Sequence, residues 1–466
     1  MCWVVAIALI VLFPITAANI FSSAILPDRY AFFAILIALI ISGGVCIGLV
    51  ATKEPENHKI RISILGVFSA LLIFAHIFLG NILNMTSSFL SNIQERDLDH
   101  EEYNLVVLNE VDDNFDATDK TICYLNQDPF RDNVSAHIAG KMKAVPMSIS
   151  DPTTLEVSML DKTCDASLIN DAYLSLYEEN NEDFFASIKT IRKERVAISQ
   201  GKVSTSQTPV TEPFTVFISG IDTYGQIGTV SRSDVNIIAI INPVTHEVLT
   251  VNTPRDYYVQ LHGTTGTRDK LTHAGIYGVI QSVATLQDLY GINIDYYVRV
   301  NFTTLVNVVD AIGGIEVNVE QAFTSRAKKF RFEKGVQHMD GAHALEFSRE
   351  RYSFAAGDRT RGHNQQLVIV AIMKKALQPS IITNYSQFLE ALGGSMQTNM
   401  GTEQMKTLIR NQLNAMHGWN YSAIAVDGSG AMLPTHSMGA QKLWVMEPNW
   451  DTVNTARDRM RQILGK

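Results

Sequence analysis

Three uncharged apolar runs open the chain: Trp3 to Leu26, Tyr30 to Thr52, and Ile62 to Met85. Each reaches the roughly 20 residues that cross about 30 Å of hydrocarbon as a helix. Only Asp28 and Arg29 interrupt between the first two, whereas Lys53, Lys59 and Arg61 lie between the second and third. Basic loops favour the cytoplasm. The pattern predicts a three-helix membrane anchor over residues 1–85, with everything after Met85 on the extracytoplasmic face. A cleaved signal peptide is the alternative for the first run, but that run lacks a basic leader and two more follow at once. His76 lies inside the third run, either as a functional intramembrane group or as a neutral, hydrogen-bonded one.

Beyond the anchor the pattern changes. Residues 86–208 are mixed and acidic, with short apolar segments at Tyr103 to Leu108 and Ala166 to Tyr177. These predict a small α+β accessory domain, closed by a linker rich in Ser, Thr, Gln and Pro from Ser199 to Pro213. From about residue 209 to 466 the signals sharpen. Phe214 to Ile221, Val235 to Ile241 and Val248 to Val251 are short β-branched runs of the kind found in strands buried on both faces. Ile276, Val279, Ile280, Val283, Leu286 and Tyr290 recur at helical spacing and stop at Gly291. Strand-like Tyr296 to Val300, a short helix through Val309, and Ile315 to Val319 continue the alternation. A helix over Gln365 to Leu377 carries a wide apolar face from Leu367 to Met373. Two further strands, Tyr421 to Val426 and Lys442 to Met446, precede a closing helix from about Thr452 to Leu464. Alternating strands and helices predict an α/β domain, a central mixed sheet flanked by helices.

The chain of 466 residues is acidic, with a formal net charge of -9. That balance argues against a nucleic-acid partner. Of the four cysteines, Cys2 and Cys46 belong to the membrane part, and Cys123 with Cys164 to the exported part. The latter two either bond, closing a loop whose stabilisation is roughly 4 kcal/mol in the chain-entropy model, or stay as free buried thiols.

Against the acidic background, arginines gather in three polar clusters at strand ends: Ser231-Arg232-Ser233-Asp234, Thr253-Pro254-Arg255-Asp256, and Ser348-Arg349-Glu350-Arg351 running on to Gly357-Asp358-Arg359-Thr360-Arg361-Gly362-His363-Asn364-Gln365. Singly, an arginine is an ordinary salt-bridge partner. Together, at loops that open an α/β sheet, they point to an anion site. Asp222, closing the first strand, and Asp234 either pair with those arginines or hold Mg²⁺, which takes carboxylate, water and phosphate oxygens. Lys270 either adds a charge to the phosphate or is solvated. No P-loop, G-x-S-x-G elbow, H-E-x-x-H or G-x-G-x-x-G fingerprint is present.

The order Gly-Ile-Asp, Ser-Arg-Ser-Asp, Thr-Pro-Arg-Asp, Lys-Leu-Thr-His-Ala, Ser-Arg-Glu-Arg and Gly-Asp-x-x-Arg resembles the LytR–CpsA–Psr family over about Phe214 to Lys466. With its anchor and accessory domain, the chain also closely resembles the CpsA branch associated with streptococcal capsule loci. The resemblance implies a membrane-anchored enzyme of Gram-positive cells that moves a glycopolymer from an undecaprenyl pyrophosphate carrier to peptidoglycan. It also implies a polyprenyl tail in an apolar tunnel and a Mg²⁺ or Mn²⁺ cofactor; capsule-machinery proteins are further candidate partners. By position, Arg232, Arg255, Lys270, Arg349, Arg351, Arg361 and Gln365 match the pyrophosphate-binding set, Asp222 and Asp234 the metal-associated carboxylates, and Asp358 a supporting residue. Asp234, Arg255, Arg349 and Arg351 are the catalytic candidates. Asn364 departs from the family pattern, which has arginine there. The apolar faces of Ile276–Tyr290 and Leu367–Met373 are either ordinary core or tunnel lining. A non-catalytic lipid-carrier sensor and a lipid pyrophosphatase are the alternative functions.

Overall fold

The computed structural model describes residues 2–23, 28–51, 58–92, 100–198, 208–221, 230–355, 357–376, 378, 391, 396–415 and 418–466. At the N-terminus are three helices, α1 (Cys2–Ser23), α2 (Asp28–Ala51) and α3 (His58–Asn92). Two of them are long and apolar enough to cross a membrane, over Asp28–Gly48 and Ser63–Thr86; the described apolar stretch of α1, Ala6–Ser22, is shorter. The count of three spans is thus reduced to two by length and composition. His76 Nδ1 bonds to the Leu72 carbonyl at 2.8 Å, which accounts for a polar ring in an apolar helix.

Residues 100–197 build a five-stranded sheet of β1 (His100–Leu108), β2 (Thr121–Leu125), β3 (Val145–Ile149), β4 (Ala166–Asn170) and β5 (Ile188–Ala197), in the order β3-β2-β4-β1-β5. Helices α4 (Arg131–Gly140), α5 (Pro152–Leu160), α6 (Asp171–Asn180) and α7 (Glu182–Ser187) connect and cover it. The apolar segment from Ala166 to Tyr177 divides at Asn170, whose side chain caps α6 by accepting from Tyr173 N. Cys123 and Cys164 are bonded, with Cα atoms 5.8 Å apart. Of the two alternatives, the disulfide is the one formed.

The second sheet has six strands: β6 (Phe214–Ile221), β7 (Val235–Asn242), β8 (Glu247–Asn252), β11 (Tyr296–Asn301), β16 (Met396–Thr398) and β17 (Asn420–Ala425), in the order β16-β11-β6-β7-β8-β17. Outside it, β9 (Tyr258–Val259) pairs with β10 (Asp269–Lys270), β12 (Ile315–Val319) with β15 (Gly335–Met339), and β13 (Phe323–Thr324) with β14 (Arg331–Phe332). β6 runs antiparallel to β7 and parallel to β11, so the sheet is mixed. Alternation along each strand serves two faces. Phe217, Ile238, Ile240, Leu249 and Val251 pack under α8 (Val279–Tyr290) and the last helix, α13 (Trp450–Leu464). Val216, Ala239 and Tyr296 face the other way, towards Met405 and Leu408 of α12 (Thr402–Ala415). With apolar layers on both faces, β6, β7 and β8 are buried almost throughout, which explains why those runs read as continuous. Lys442 to Met446, expected as a sheet strand, belongs instead to a separate hairpin of β18 (Gly428–Thr435) and β19 (Gly439–Pro448).

The helix expected from Ile276 is also split. Leu271–Tyr277 is a 3₁₀ segment, and Gly278, at φ 96°, turns the chain before α8. The apolar face of α8 is core: Leu286 and Tyr290 are wholly buried against the sheet. The tunnel-lining alternative for this helix is therefore corrected, because the sheet already covers that face.

Candidate functional site

The loop before β7 is held by close backbone packing. Ser231 N donates to Gly275 O at 3.2 Å, Ser233 N to Thr272 O at 3.2 Å, and Asp234 N to Gly220 O at 2.8 Å. A Cβ on Gly275 would stand 2.3 Å from Ser231 O, so only glycine lets the 3₁₀ segment lie this close. The loop after β8 docks on the same segment, with Thr272 N donating to Arg255 O at 2.8 Å. Arg232, Asp234 and Arg255 thus share one 3₁₀ segment as a common support.

These residues border a cavity of about 420 Å³. Its polar part carries Arg232, Asp234, Arg255, Arg349, Arg351, Arg361 and Gln365; its apolar part carries Ile218, Ile221, Val235, Val300, Phe302, Leu305, Val368 and Ile369. Phe302 and Leu305 come from α9 (Phe302–Ala311). Arg349 ends α10 (Gly341–Arg349), its guanidinium 4.1 Å from the centre of the Phe302 ring. Glu350, between the two cluster arginines, accepts from Arg326 N at 2.6 Å and Ser353 N at 3.0 Å. It holds the turn from which Arg349 and Arg351 reach the cavity. Arg361, Gln365, Val368 and Ile369 recur at helical spacing on one face of α11 (Asp358–Ala376), so a single helix supplies both polar and apolar wall.

The charges are tightly coupled. Arg255 Nη1 donates to Asp234 Oδ1 at 2.9 Å, and Thr272 Oγ1 donates to the same oxygen at 3.3 Å. Burial alone would raise the Asp234 carboxyl, but Arg255, Arg232 and Arg361 outweigh it and hold it below the ordinary carboxylate range. Burial opposes the charge of Arg255, while Asp234, Asp256 and Glu179 drive its pKa upward. All five expected arginines line the cavity, but Lys270 does not: it stands behind Arg255, its Nζ 3.1 Å from Asp256 Oδ1, in a buried ion pair. Asn364 points away, donating to Phe347 O at 3.2 Å, so its departure from arginine falls on packing. Asp222 lies outside the described residues, as does the side chain of Asp358. His273 Nδ1 meets both Asp269 Oδ1 and Ser437 Oγ at 2.7 Å. All three are buried and share one ring nitrogen, which makes them a structural knot under the Lys-Leu-Thr-His-Ala motif rather than a nucleophile relay.

Three lining residues carry no signal in the sequence. Ser175, Glu178 and Glu179 come from α6, in the other sheet unit. Glu179 Oε1 accepts from Arg255 Nη2 at 3.1 Å, and its Oε2 pairs with Arg232. These pairs join residues far apart in sequence, so no local pattern announces them. Among the described residues no group of three or more His, Cys, Asp or Glu gathers as a ready metal cage. Both hydrogen bonds of Asp234 named above fall on Oδ1, so its second oxygen fits a hard cation that also takes water and phosphate oxygens. A site with arginines at one end and aliphatic walls at the other can hold a phosphate headgroup and an alkyl chain together.

A family model described as the LytR_cpsA_psr family matches residues 177–449. A Bacillus cereus protein named polyisoprenyl-teichoic acid–peptidoglycan teichoic acid transferase TagU is 32% identical over 257 residues, 55% of this chain and 81% of that protein. The Enterococcus faecalis protein of the same name is 35% identical over 223 residues, 47% of this chain and 72% of that protein. The solved structure of Bacillus subtilis TagV is 26% identical with a TM-score of 0.47, covering 55% of this chain and 98% of that one.

Proposed function

The chain belongs to the LytR–CpsA–Psr family, and from that premise we propose that it is a membrane-anchored transferase moving a glycopolymer from an undecaprenyl pyrophosphate carrier to peptidoglycan. The observation that carries the reading is the cavity in which five arginines meet an aliphatic wall. The arginines suit the pyrophosphate and the wall suits the first isoprene units of the tail. The named relatives act between a polyisoprenyl-linked polymer and peptidoglycan, and the same pair of substrates fits here. Capsular polysaccharide is our choice of polymer.

In the reaction, an acceptor hydroxyl oxygen forms a bond to the phosphorus that bears the sugar. The bond from that phosphorus to the bridging oxygen breaks, and undecaprenyl phosphate leaves with that oxygen. Arg255, Arg349 and Arg351 stabilise the charge that builds on the pyrophosphate oxygens. The hydroxyl proton passes to solvent, since Asp234, kept ionised by its arginines, serves the metal. Asp234 and Asp222 would hold Mg²⁺ or Mn²⁺, which supplies further neutralisation of the pyrophosphate when bound.

The anchor fits the same reading. We place the stretch with Lys53, Lys59 and Arg61, between the two spans, in the cytoplasm, which puts both sheets outside. The Cys123–Cys164 bond suits that oxidising side. Confinement at the membrane raises the effective concentration of a lipid-borne donor.

The test is full-length protein in nanodiscs, given a lipid-pyrophosphate sugar, Mg²⁺ and peptidoglycan fragments. Undecaprenyl phosphate and a phosphodiester-linked product should form together, and Arg255→Ala should reduce kcat by about 100-fold or more. Undiminished turnover in Arg255→Ala would overturn the assignment. Undecaprenyl phosphate and sugar phosphate formed with water, without acceptor, would instead identify a pyrophosphatase.

A further inference from the structure

The arginines of the cavity already hold an anion. Glu179 offers one carboxylate oxygen to Arg255 and the other to Arg232, and a carboxylate shared between two guanidinium groups has the shape of a bound phosphate edge. It arrives from the other sheet unit, 53 residues before Arg232 and 76 before Arg255. Burial would raise the Glu179 carboxyl, but Arg232, Arg255 and Lys270 outweigh it and keep it ionised at neutral pH. Glu179 also stands one residue from the end of α6, where the helix adds partial negative charge of its own.

The backbone behind this carboxylate is fixed. Gln441 Nε2 donates to Asn180 O at 2.8 Å, and Thr153 Oγ1 to Met438 O at 2.8 Å. Leu176 and Tyr177 share one apolar cluster with Ile276, Met438 and Leu443 across the junction of the two units. The Glu179 side chain, in contrast, is one-third exposed. Vacating the arginines therefore needs rotation of one flexible side chain, with no separation of the units.

We propose that Glu179 is an intramolecular competitor for the pyrophosphate: it occupies Arg232 and Arg255 in the empty site and must swing out before the donor headgroup binds, so that the N-proximal unit sets donor affinity. The proposal rests on the reading of those arginines as pyrophosphate ligands. An incoming pyrophosphate cannot share the two guanidinium groups with a carboxylate without like-charge repulsion, and the competition is reciprocal.

Full-length protein in detergent micelles is titrated with farnesyl pyrophosphate and, separately, with inorganic pyrophosphate. Glu179→Gln should tighten Kd for both by about tenfold, and Glu179→Ala should do the same, with melting temperatures taken alongside to confirm the fold. Glu178→Gln, one residue away, should produce a much smaller change. Arg255→Ala should lose binding of both probes. An unchanged or weakened Kd in both Glu179 variants, with Arg255→Ala still losing binding, would overturn the competitor while leaving the anion site intact. A gain confined to farnesyl pyrophosphate would overturn it too, since the carboxylate would then be screening the tail. Full binding in Arg255→Ala would remove the pyrophosphate reading itself.

Discussion

Gly275 has little freedom to change, because its missing side chain is what allows Ser231 to pack against the 3₁₀ segment. Gly275→Ala should cost about 1–3 kcal/mol through backbone displacement and weaken pyrophosphate binding, since Arg232 and Asp234 ride on the displaced loop. Thermal melts and a farnesyl pyrophosphate titration check this, and parent-like values in both would contradict it. At this scale the arginines were readable in the sequence, each within a short polar motif at a strand or helix end. The exceptions have physical causes. Lys270 has a fixed partner in Asp256, and Asn364 turns to the Phe347 carbonyl. Which neighbour a polar side chain chooses depends on distances that local spacing does not contain.

Between elements, hydropathy leaves α8 open as core or tunnel lining and gives α9 no role, and packing decides both. α8 has the broader apolar stripe, yet it lies in the core; α9 is shorter and gives Phe302 and Leu305 to the cavity. Leu286→Ala on α8 should therefore lower stability by about 2–5 kcal/mol without changing the preference for prenylated over inorganic pyrophosphate. Phe302→Ala on α9 should reduce that preference by about tenfold, the loss expected when one aromatic contact to a chain is removed. Chemical denaturation and paired titrations separate the two effects; the reverse assignment would restore the tunnel to α8. An apolar face looks the same in sequence whether a sheet or a lipid covers it.

At the scale of the whole molecule, the two sheets are joined by an apolar cluster in which the disulfide itself takes part, since Cys123 and Cys164 pack with Leu176, Ile276 and Leu443. Closing a loop of sequence separation 41 contributes about 4 kcal/mol in the chain-entropy model. Reduction, or the double change Cys123→Ser and Cys164→Ser, should bring out an earlier melting transition for residues 100–197. Identical melts with and without reductant would show that the bond contributes nothing to this junction. Because α6 reaches the cavity from this unit, its docking and the occupancy of the arginines belong to one assembly.

By itself the sequence determined the apolar anchor, the strands β6, β7, β8, β11 and β17 with the helices α8, α9, α11 and α13, and the polar motifs that bear the arginines. Periodicity and turn chemistry are local properties, and six of the expected site residues, Arg232, Arg255, Arg349, Arg351, Arg361 and Gln365, do line one cavity with Asp234. Only the tertiary structure decided that α8 is core, that β18 and β19 form a hairpin apart from the main sheet, and that Glu179 bridges two arginines from another unit. Those outcomes depend on which surfaces meet across dozens of residues. Pairing across such distances follows from packing and charge in three dimensions, and no window of neighbouring residues records it.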